Sequence, residues 1–304
     1  MQTQTAATNE RPKVILDRAP KYSLFSLATL KSLMRKADKP ADNIVLPQQK
    51  VCLNNQRIDI SELHAFQKVC GYPVSDALPI SYLHNQVFDL QMVLLLDETM
   101  PIPPLGMVHL EHSISRLKTI KPSEHYDTEV FFGKVEPHKH GVTFETHAEI
   151  RVDNELVWHE TAKTLCRLPK HLLSKAQAEA TPKAGFQRPC AETAVVLRAT
   201  SDTGRRYGAV SGDRNPIHLW PITAKLFGFK RHIAHGMWTM ARVAAEFEPD
   251  FLDESICYSA RFLKPVFLPT RLHYYRDDSS EHNRVEVWNS NASRCHMTAT
   301  ISLL

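Results

Sequence analysis

Two stretches of this chain are apolar around most of a helical circumference, and each is followed by a series of alternating strands. The first is LPISYLHNQVFDLQMVLLLDETM, Leu78 to Met100; the second is HGMWTMARVAAEF, helical from Gly236 to Phe247. A helix with no broad polar face has to be enclosed on nearly all sides. The strands after each stretch can supply the enclosure. From Met107 to Leu168 the period changes, and GVTFETHAEIRV sets Val142, Phe144, Ala148, Ile150 and Val152 against Thr143, Glu145, His147, Glu149 and Arg151. That is the alternation of a half-buried strand. Asp153-Asn154 turns it into LVWHETAKTLCRL as a hairpin, and LEHSISRLKTI and TEVFFGKVE complete a set of strands. After the second helix come ICYSARFLKPVFLP, RLHYYR, RVEVWNSN and RCHMTATISLL, where Met297, Ala299, Ile301 and Leu303 alternate with polar residues. A buried helix followed by antiparallel strands, twice over, predicts an α+β fold of two tandem units, each a curved antiparallel sheet wrapped around a central helix.

The length of 304 residues suits two such units. The boundaries read as 1–168 for the first, a linker over 169–191 rich in Lys, Ala and Gln with three prolines, and 192–304 for the second. Ahead of the first unit, YSLFSLATLKSLMRKA places Leu24, Leu27, Leu30, Leu33 and Met34 at helical spacing, and ISELHAFQKVCGY reads as a short helix with Ser61 as its cap and Gly71 as its stop. With 43% hydrophobic and 23% charged residues the chain is globular. Its net charge of +4 spreads 37 Lys and Arg among 33 acids, which excludes the concentrated basic stripe of a nucleic-acid binder. Six scattered cysteines with no C-x-x-C and no signal peptide read as reduced thiols in a cytoplasmic protein. The apolar run around Met92 to Leu96 lies between Asp89 and Asp97, too short to span a membrane.

The units differ in one place. Before its buried helix the second carries YGAVSGDRNPIHLW, where the first has only GYPVSDA. Asn215-Pro216 disfavours helix at the residue before proline, so Asp213 and His218 are expected on irregular backbone between helices ending near Gly212 and starting near Pro221. A carboxylate beside an imidazole can grip and polarise a water, as general acid–base catalysis requires. Asp213 and Asn215 read equally well as turn formers. Downstream, AHGMW starts the buried helix at Gly236, whose first-turn N–H groups lack helical partners and carry the positive end of the dipole. A carbonyl oxygen set there would be polarised, as in an oxyanion hole. His232 and His235 have no cysteine nearby and no obvious carboxylate as a third ligand, so no metal is expected; Arg205 and Arg206 read as a solvated helix face.

From Tyr207 to Phe247 the sequence resembles the hydratase signature of the MaoC-like, (R)-specific enoyl-thioester hydratase and 3-hydroxyacyl-thioester dehydratase family. Tyr207, Gly212, Asp213, Asn215, Pro216, Ile217, His218, His235, Gly236 and Met237 all fit its pattern. The resemblance implies a tandem, or double, hot-dog fold with a degenerate first half. It implies reversible addition of water to trans-2-enoyl thioesters, with Asp213 and His218 as the catalytic pair and Gly236 as oxyanion donor. Asn215, His235 and Tyr207 would support them. No cofactor is implied. The substrate would be an acyl-CoA or acyl-carrier-protein thioester, with Arg261, Lys264, Lys230 and Arg231 as candidate phosphate partners; nucleic acid and membrane are not expected partners, and a homodimer is possible. A hot-dog thioesterase and a noncatalytic acyl-thioester-binding protein are the rival readings. Residues 1–170 are expected to shape the acyl pocket without chemistry, so neither His84 nor Asp76 should be essential. Two positions depart from the pattern: Trp220 stands where an Asp is common, and Leu268-Pro269-Thr270 replaces a Pro-Gly-Asp turn.

Overall fold

The computed structural model describes residues 11–18, 34–104, 106–174, 195–252, 254–277 and 283–304. The helix expected around 22–37 falls almost wholly outside them, as does most of the linker. Among the described residues eleven strands form one sheet: β1 (Lys13–Leu16), β2 (Lys50–Gln56), β3 (Met107–Arg116), β4 (Tyr126–His138), β5 (Gly141–Val152), β6 (Glu155–Arg167), β7 (Val195–Ala199), β8 (Ile256–Phe262), β9 (Thr270–Asp277), β10 (Asn283–Asn289) and β11 (Cys295–Leu303). Their order is β1-β2-β4-β5-β6-β3-β8-β11-β10-β9-β7. Read outward from the middle, β3-β6-β5-β4-β2 on one side matches β8-β11-β10-β9-β7 on the other, so the two halves share one topology about the antiparallel β3–β8 pair. At its centre Ser113 faces Ser259, the two hydroxyls 2.8 Å apart. β1 and β2 have no counterpart in the sequence reading: β1 is four residues long, and β2 buries Val51, Cys52 and Leu53 in succession, so it shows no alternation.

The alternation in β5 is realised: Val142, Phe144, Ala148 and Ile150 are buried, with Thr146 as the polar member of that row. Asp153 and Asn154, both with positive φ (50° and 66°), close the β5–β6 hairpin, the turn that matches the strands' twist.

Three helices occupy the inner face. α1 (Ile60–Cys70) is capped by Asp59, whose carboxylate accepts from the Ser61 and Glu62 N–H groups, so the cap lies two residues before the Ser61 expected. It stops at Gly71, in the left-handed conformation at φ 81°. α2 (Leu83–Leu96) is shorter than the apolar stretch that predicted it, since residues 79–82 form a turn tied to the opposite half. There the Ile80 N–H donates to Glu248 Oε1 (2.7 Å), the Trp158 indole donates to the Ile80 carbonyl (2.9 Å), and Arg116 pairs with the same Glu248 oxygen (2.7 Å). The central helix of the second half is Gly236–Phe247, buried except near Gly236, Arg242 and Glu246. No helix among the described residues is long and apolar enough to cross a membrane.

Candidate active site

The second half carries its extra residues between β7 and the Gly236–Phe247 helix. α3 (Thr203–Ser211) ends on Gly212, left-handed at φ 79°, which glycine adopts without a Cβ penalty. The chain then folds back across α3. Two glycines make that possible: a Cβ on Gly204 would stand 2.0 Å from the His218 carbonyl oxygen, and one on Gly208 2.7 Å from the Asp213 carbonyl oxygen. Four apart, they share one helix face. Sequence reasoning missed them, although the spacing was a visible signal.

On this seat Asp213 Oδ1 accepts from the Asn215 N–H (3.0 Å), and Asn215 Oδ1 accepts from the Ile217 N–H (3.3 Å). Asn215 thereby caps α4 (Pro216–Leu219), with Pro216 in the first position, where a missing N–H is harmless. His218 therefore stands on a helical turn rather than on the irregular backbone expected, because Pro216 is a favourable first residue for a short helix that Asn215 caps. α5 (Pro221–Leu226) comes next, and the chain reaches α6 (Gly236–Phe247) through a short extended run. Arg205 is not solvated as expected: its guanidinium lies 3.9 Å from the Trp220 ring centroid and donates to the Leu219 carbonyl (2.9 Å). Trp220 is thus a platform fastening α4 to α3.

Hydrogen bonds fix the protons on the two imidazoles. His218 Nδ1 is 2.8 Å from the Ile233 carbonyl; a carbonyl only accepts, so Nδ1 carries the hydrogen and Nε2 keeps its lone pair. His235 Nε2 donates likewise to the Asp213 carbonyl (2.9 Å) and lies 3.6 Å from Asp213 Oδ2. The rings of His218 and His235 stack with centroids 3.7 Å apart, and the Tyr207 ring backs His235 at 5.0 Å. Tyr207 and both histidines are buried, whereas the Asp213 side chain keeps 30% of its surface exposed. Burial would raise the Asp213 carboxyl, but its interactions with His235, His218 and the Asn215 N–H prevail and hold it below the usual range. Burial lowers His218, opposed only in part by Asp213. Burial, reinforced by His218, drives His235 down to about 3. Near neutral pH the site presents an ionised carboxylate beside a neutral imidazole whose Nε2 is a base.

Gly236 is the first residue of α6, with His235 as its cap. Phe262 ring carbons lie 3.1 to 3.3 Å from where a Cβ would stand, so a side chain here would press on the ring at the helix start, where the N–H groups lack helical partners. The structure thus brings Tyr207, Asp213, Asn215, His218, His235 and Gly236 into one locality.

It does not gather the four basic candidates. Arg261 pairs with Glu111 (3.1 Å), on the face of β8 opposite its neighbour Phe262, since strand side chains alternate. The runs through Ile233 and Phe267 pair antiparallel, which sets Lys264 toward the Gly236 end and Lys230 and Arg231 toward the Pro269 end. All four are exposed.

Sequence reasoning also missed what the first half adds. α2 packs its first turns on the motif: Asn85 Nδ2 donates to the Val210 carbonyl (3.3 Å), the Tyr207 hydroxyl donates to Asn85 Oδ1 (3.5 Å), and Phe88 and Asp89 lie against Gly212. Among the described residues, two groups of side chains have ligand atoms within 4.8 Å of one another, as a metal would need: Asp213 with His218 and His235, and His84 with His112 and Glu160. In the second, the Glu160 carboxylate already receives three donors, His84, His112 and Gln91, and is satisfied without a cation.

Comparison with known proteins shows the family and the fold. A family profile described as MaoC like domain matches residues 179–292. The 3-hydroxyacyl-thioester dehydratase X of Mycobacterium tuberculosis is 32% identical over 256 residues, 84% of this chain and 90% of that protein. Its crystal structure superposes with a TM-score of 0.72, covering 84% of this chain and all of that one, at 31% identity. A MaoC-like dehydratase from Phytophthora capsici (TM-score 0.67, 15% identity, covering 84% and 95%) and a Mycobacterium tuberculosis protein described as having a double hot-dog fold (0.51, 11%, 87% and 98%) share the fold.

Proposed function

This chain belongs to the MaoC-like dehydratase family, and from that premise we propose that it adds water reversibly to trans-2-enoyl thioesters, giving (R)-3-hydroxyacyl thioesters. Hydration and dehydration of acyl thioesters in fatty-acid metabolism is the activity of its class. The finer assignment rests on one observation: the Ile233 carbonyl occupies His218 Nδ1, leaving Nε2 as a base within the same short motif as the ionised Asp213.

In this reading a water donates one hydrogen to the Asp213 carboxylate and the other to His218 Nε2. The thioester carbonyl takes the α6 N-terminal N–H of Gly236. As the water oxygen bonds to C3, His218 removes its proton, and the C2=C3 electron pair moves onto the carbonyl as an enolate that Gly236 stabilises. Collapse of the enolate takes the proton onto C2 and restores the thioester; dehydration is the reverse. A single such oxyanion donor contributes roughly 100- to 1000-fold in rate. Residues 192–304 carry this proton chemistry, 169–191 link the halves, and 1–168 wall the acyl pocket. The carrier is coenzyme A or a phosphopantetheine arm, its phosphates drawn to Lys264 at one end of the run or to Lys230 and Arg231 at the other, more than to the paired Arg261.

Purified protein incubated with crotonyl-CoA and longer trans-2-enoyl-CoA substrates should deplete the conjugated enoyl absorbance. Folded protein that turns over no chain length, on CoA or on carrier protein, defeats the proposal. Release of free CoA with the double bond intact points instead to a thioesterase.

A further inference from the structure

One amide carries much of the first half's grip on the motif. Asn85, in the first turn of α2, is buried, and both ends of its side chain are spent on the other half: Nδ2 donates to the Val210 carbonyl (3.3 Å), and Oδ1 accepts from the Tyr207 hydroxyl (3.5 Å). Among the described residues no other hydrogen bond engages that side chain. Asn is a weak helix former, and an amide is costly to bury unless it is hydrogen-bonded. For α2 alone an apolar residue would serve better. The gain lies on the far side of the contact. Carbonyls in a last helical turn lack partners within the helix, and Asn85 supplies one to Val210 near the end of α3. The Tyr207 hydroxyl, enclosed with its ring, finds its partner in the same amide.

From these two points contacts run unbroken to the proposed proton chemistry. Val210 lies three residues before Asp213, and Gly212 between them rests on the Phe88 ring of α2, 3.5 Å from where a Cβ would stand. The Tyr207 ring lies 5.0 Å from that of His235, which stacks on His218 at 3.7 Å while donating to the Asp213 carbonyl (2.9 Å). Stacked rings hold their separation well but slide easily past one another. A hydrogen bond at the edge of Tyr207, the last ring of the stack, opposes that sliding.

We propose that Asn85 is a positioning residue of the site, contributed by the signature-less half: through Tyr207 it fixes the His235–His218 stack, and through the Val210 carbonyl it fixes the backbone that leads into Asp213. This rests on the hydratase reading above. Asn85 touches neither substrate nor the reacting atoms, so its removal should slow turnover and leave substrate binding nearly as it was.

The test is a cycle of Asn85→Leu, which keeps the bulk of the side chain without its polar atoms, and Tyr207→Phe, which deletes one oxygen. Each single variant should lower kcat at least about tenfold with KM changed less than about threefold. The double variant should be no slower than Asn85→Leu, because both changes break one path. A second readout needs no substrate: the His218 Nδ1–H and His235 Nε2–H, followed by NMR in protein carrying 15N-histidine and assigned with His218→Gln and His235→Gln. Their exchange with solvent should speed up at least about tenfold in both variants, while the His296 Nδ1–H, bonded to the Lys264 carbonyl, keeps its rate. A purely structural Asn85 would lower Tm and leave kcat and exchange unmoved. Either readout within about threefold of wild type overturns the proposal, as does a double variant slowed by the product of the two single effects. If wild type hydrates no enoyl thioester, the hydratase reading fails, and the exchange rates alone then decide whether Asn85 holds the imidazoles. Should Asn85→Leu not fold, Tyr207→Phe carries the same expectations for kcat and exchange and the same refuting result.

Discussion

The seat of the motif on α3 can be tested with one methyl group. A Cβ at Gly204 would stand 2.0 Å from the His218 carbonyl oxygen and 2.9 Å from its carbonyl carbon, whereas carbon and carbonyl oxygen approach comfortably at about 3.3 Å. Gly204→Ala therefore has to part α3 and α4 by about 1.3 Å, because the obstacle is backbone and cannot rotate away. Overpacking of this kind costs about 1–3 kcal/mol, and the better helix propensity of alanine returns up to about 1 kcal/mol. The net loss is up to about 2 kcal/mol, a fall in Tm of roughly 4–8 °C at about 2–4 °C per kcal/mol. The larger effect falls on turnover. His218 travels with its carbonyl, and a misplacement of about 1 Å costs on the order of 100-fold in rate. The assay is kcat/KM for enoyl-CoA hydration alongside thermal melts. Ala209→Gly, on the exposed side of the same helix, is the control: it costs about 1 kcal/mol in propensity without touching the motif and should keep kcat. Gly204→Ala with kcat/KM within about threefold of wild type would show that α3 does not set the position of His218.

Asp213→Asn should lower turnover by about two to four powers of ten with little change in Tm, since Asn can still accept from the Asn215 N–H; wild-type turnover would remove Asp213 from the reaction. Because His218 must be neutral to act as a base and burial lowers its pKa, activity should be lost on acidification only below the ordinary imidazole value of about 6.5, and an acid limb above that in kcat/KM would contradict the assignment. Arg205→Ala removes the stack on Trp220 and the bond to Leu219; melts should show a loss of about 1 kcal/mol and kinetics a small change, so a collapse of kcat would place Arg205 in the chemistry instead. Burial already pushes the Glu248 carboxyl up to about 7, so in Arg116→Met it should protonate near neutral pH and the loss should be that of buried hydrogen bonds, about 1–3 kcal/mol, read as a drop in Tm; an unaltered Tm would mean that Glu248 does not need its partner.

Periodicity made the duplicated α+β plan legible, because a two-residue repeat along β5 and an apolar circumference on α2 and α6 are each set by what a sheet and a central helix must bury. The proposed pair was legible for a different reason: Asp213, Asn215, Pro216 and His218 lie within one local turn, where each residue's effect on the backbone can be read from its neighbours. What escaped depends on distance along the chain. Glu160 meets His84 across 76 residues and His112 across 48, and strand β6 shows Glu160 only as a polar residue on an alternating strand. Its place between Trp158 and Ala162 on the apolar phase of the strand was a visible signal that it turns inward; what was not visible is which donors meet it there. Gly204 and Gly208 escaped for the converse reason: their spacing is visible, but what they admit is the carbonyl of a residue that has not yet been placed. The expected division into a working half and a degenerate half has the same origin. It comes from where the signature is written, whereas α2, carrying His84, Asn85, Phe88 and Asp89, is packed from the first half onto the loop of the second, so that the site is built by both.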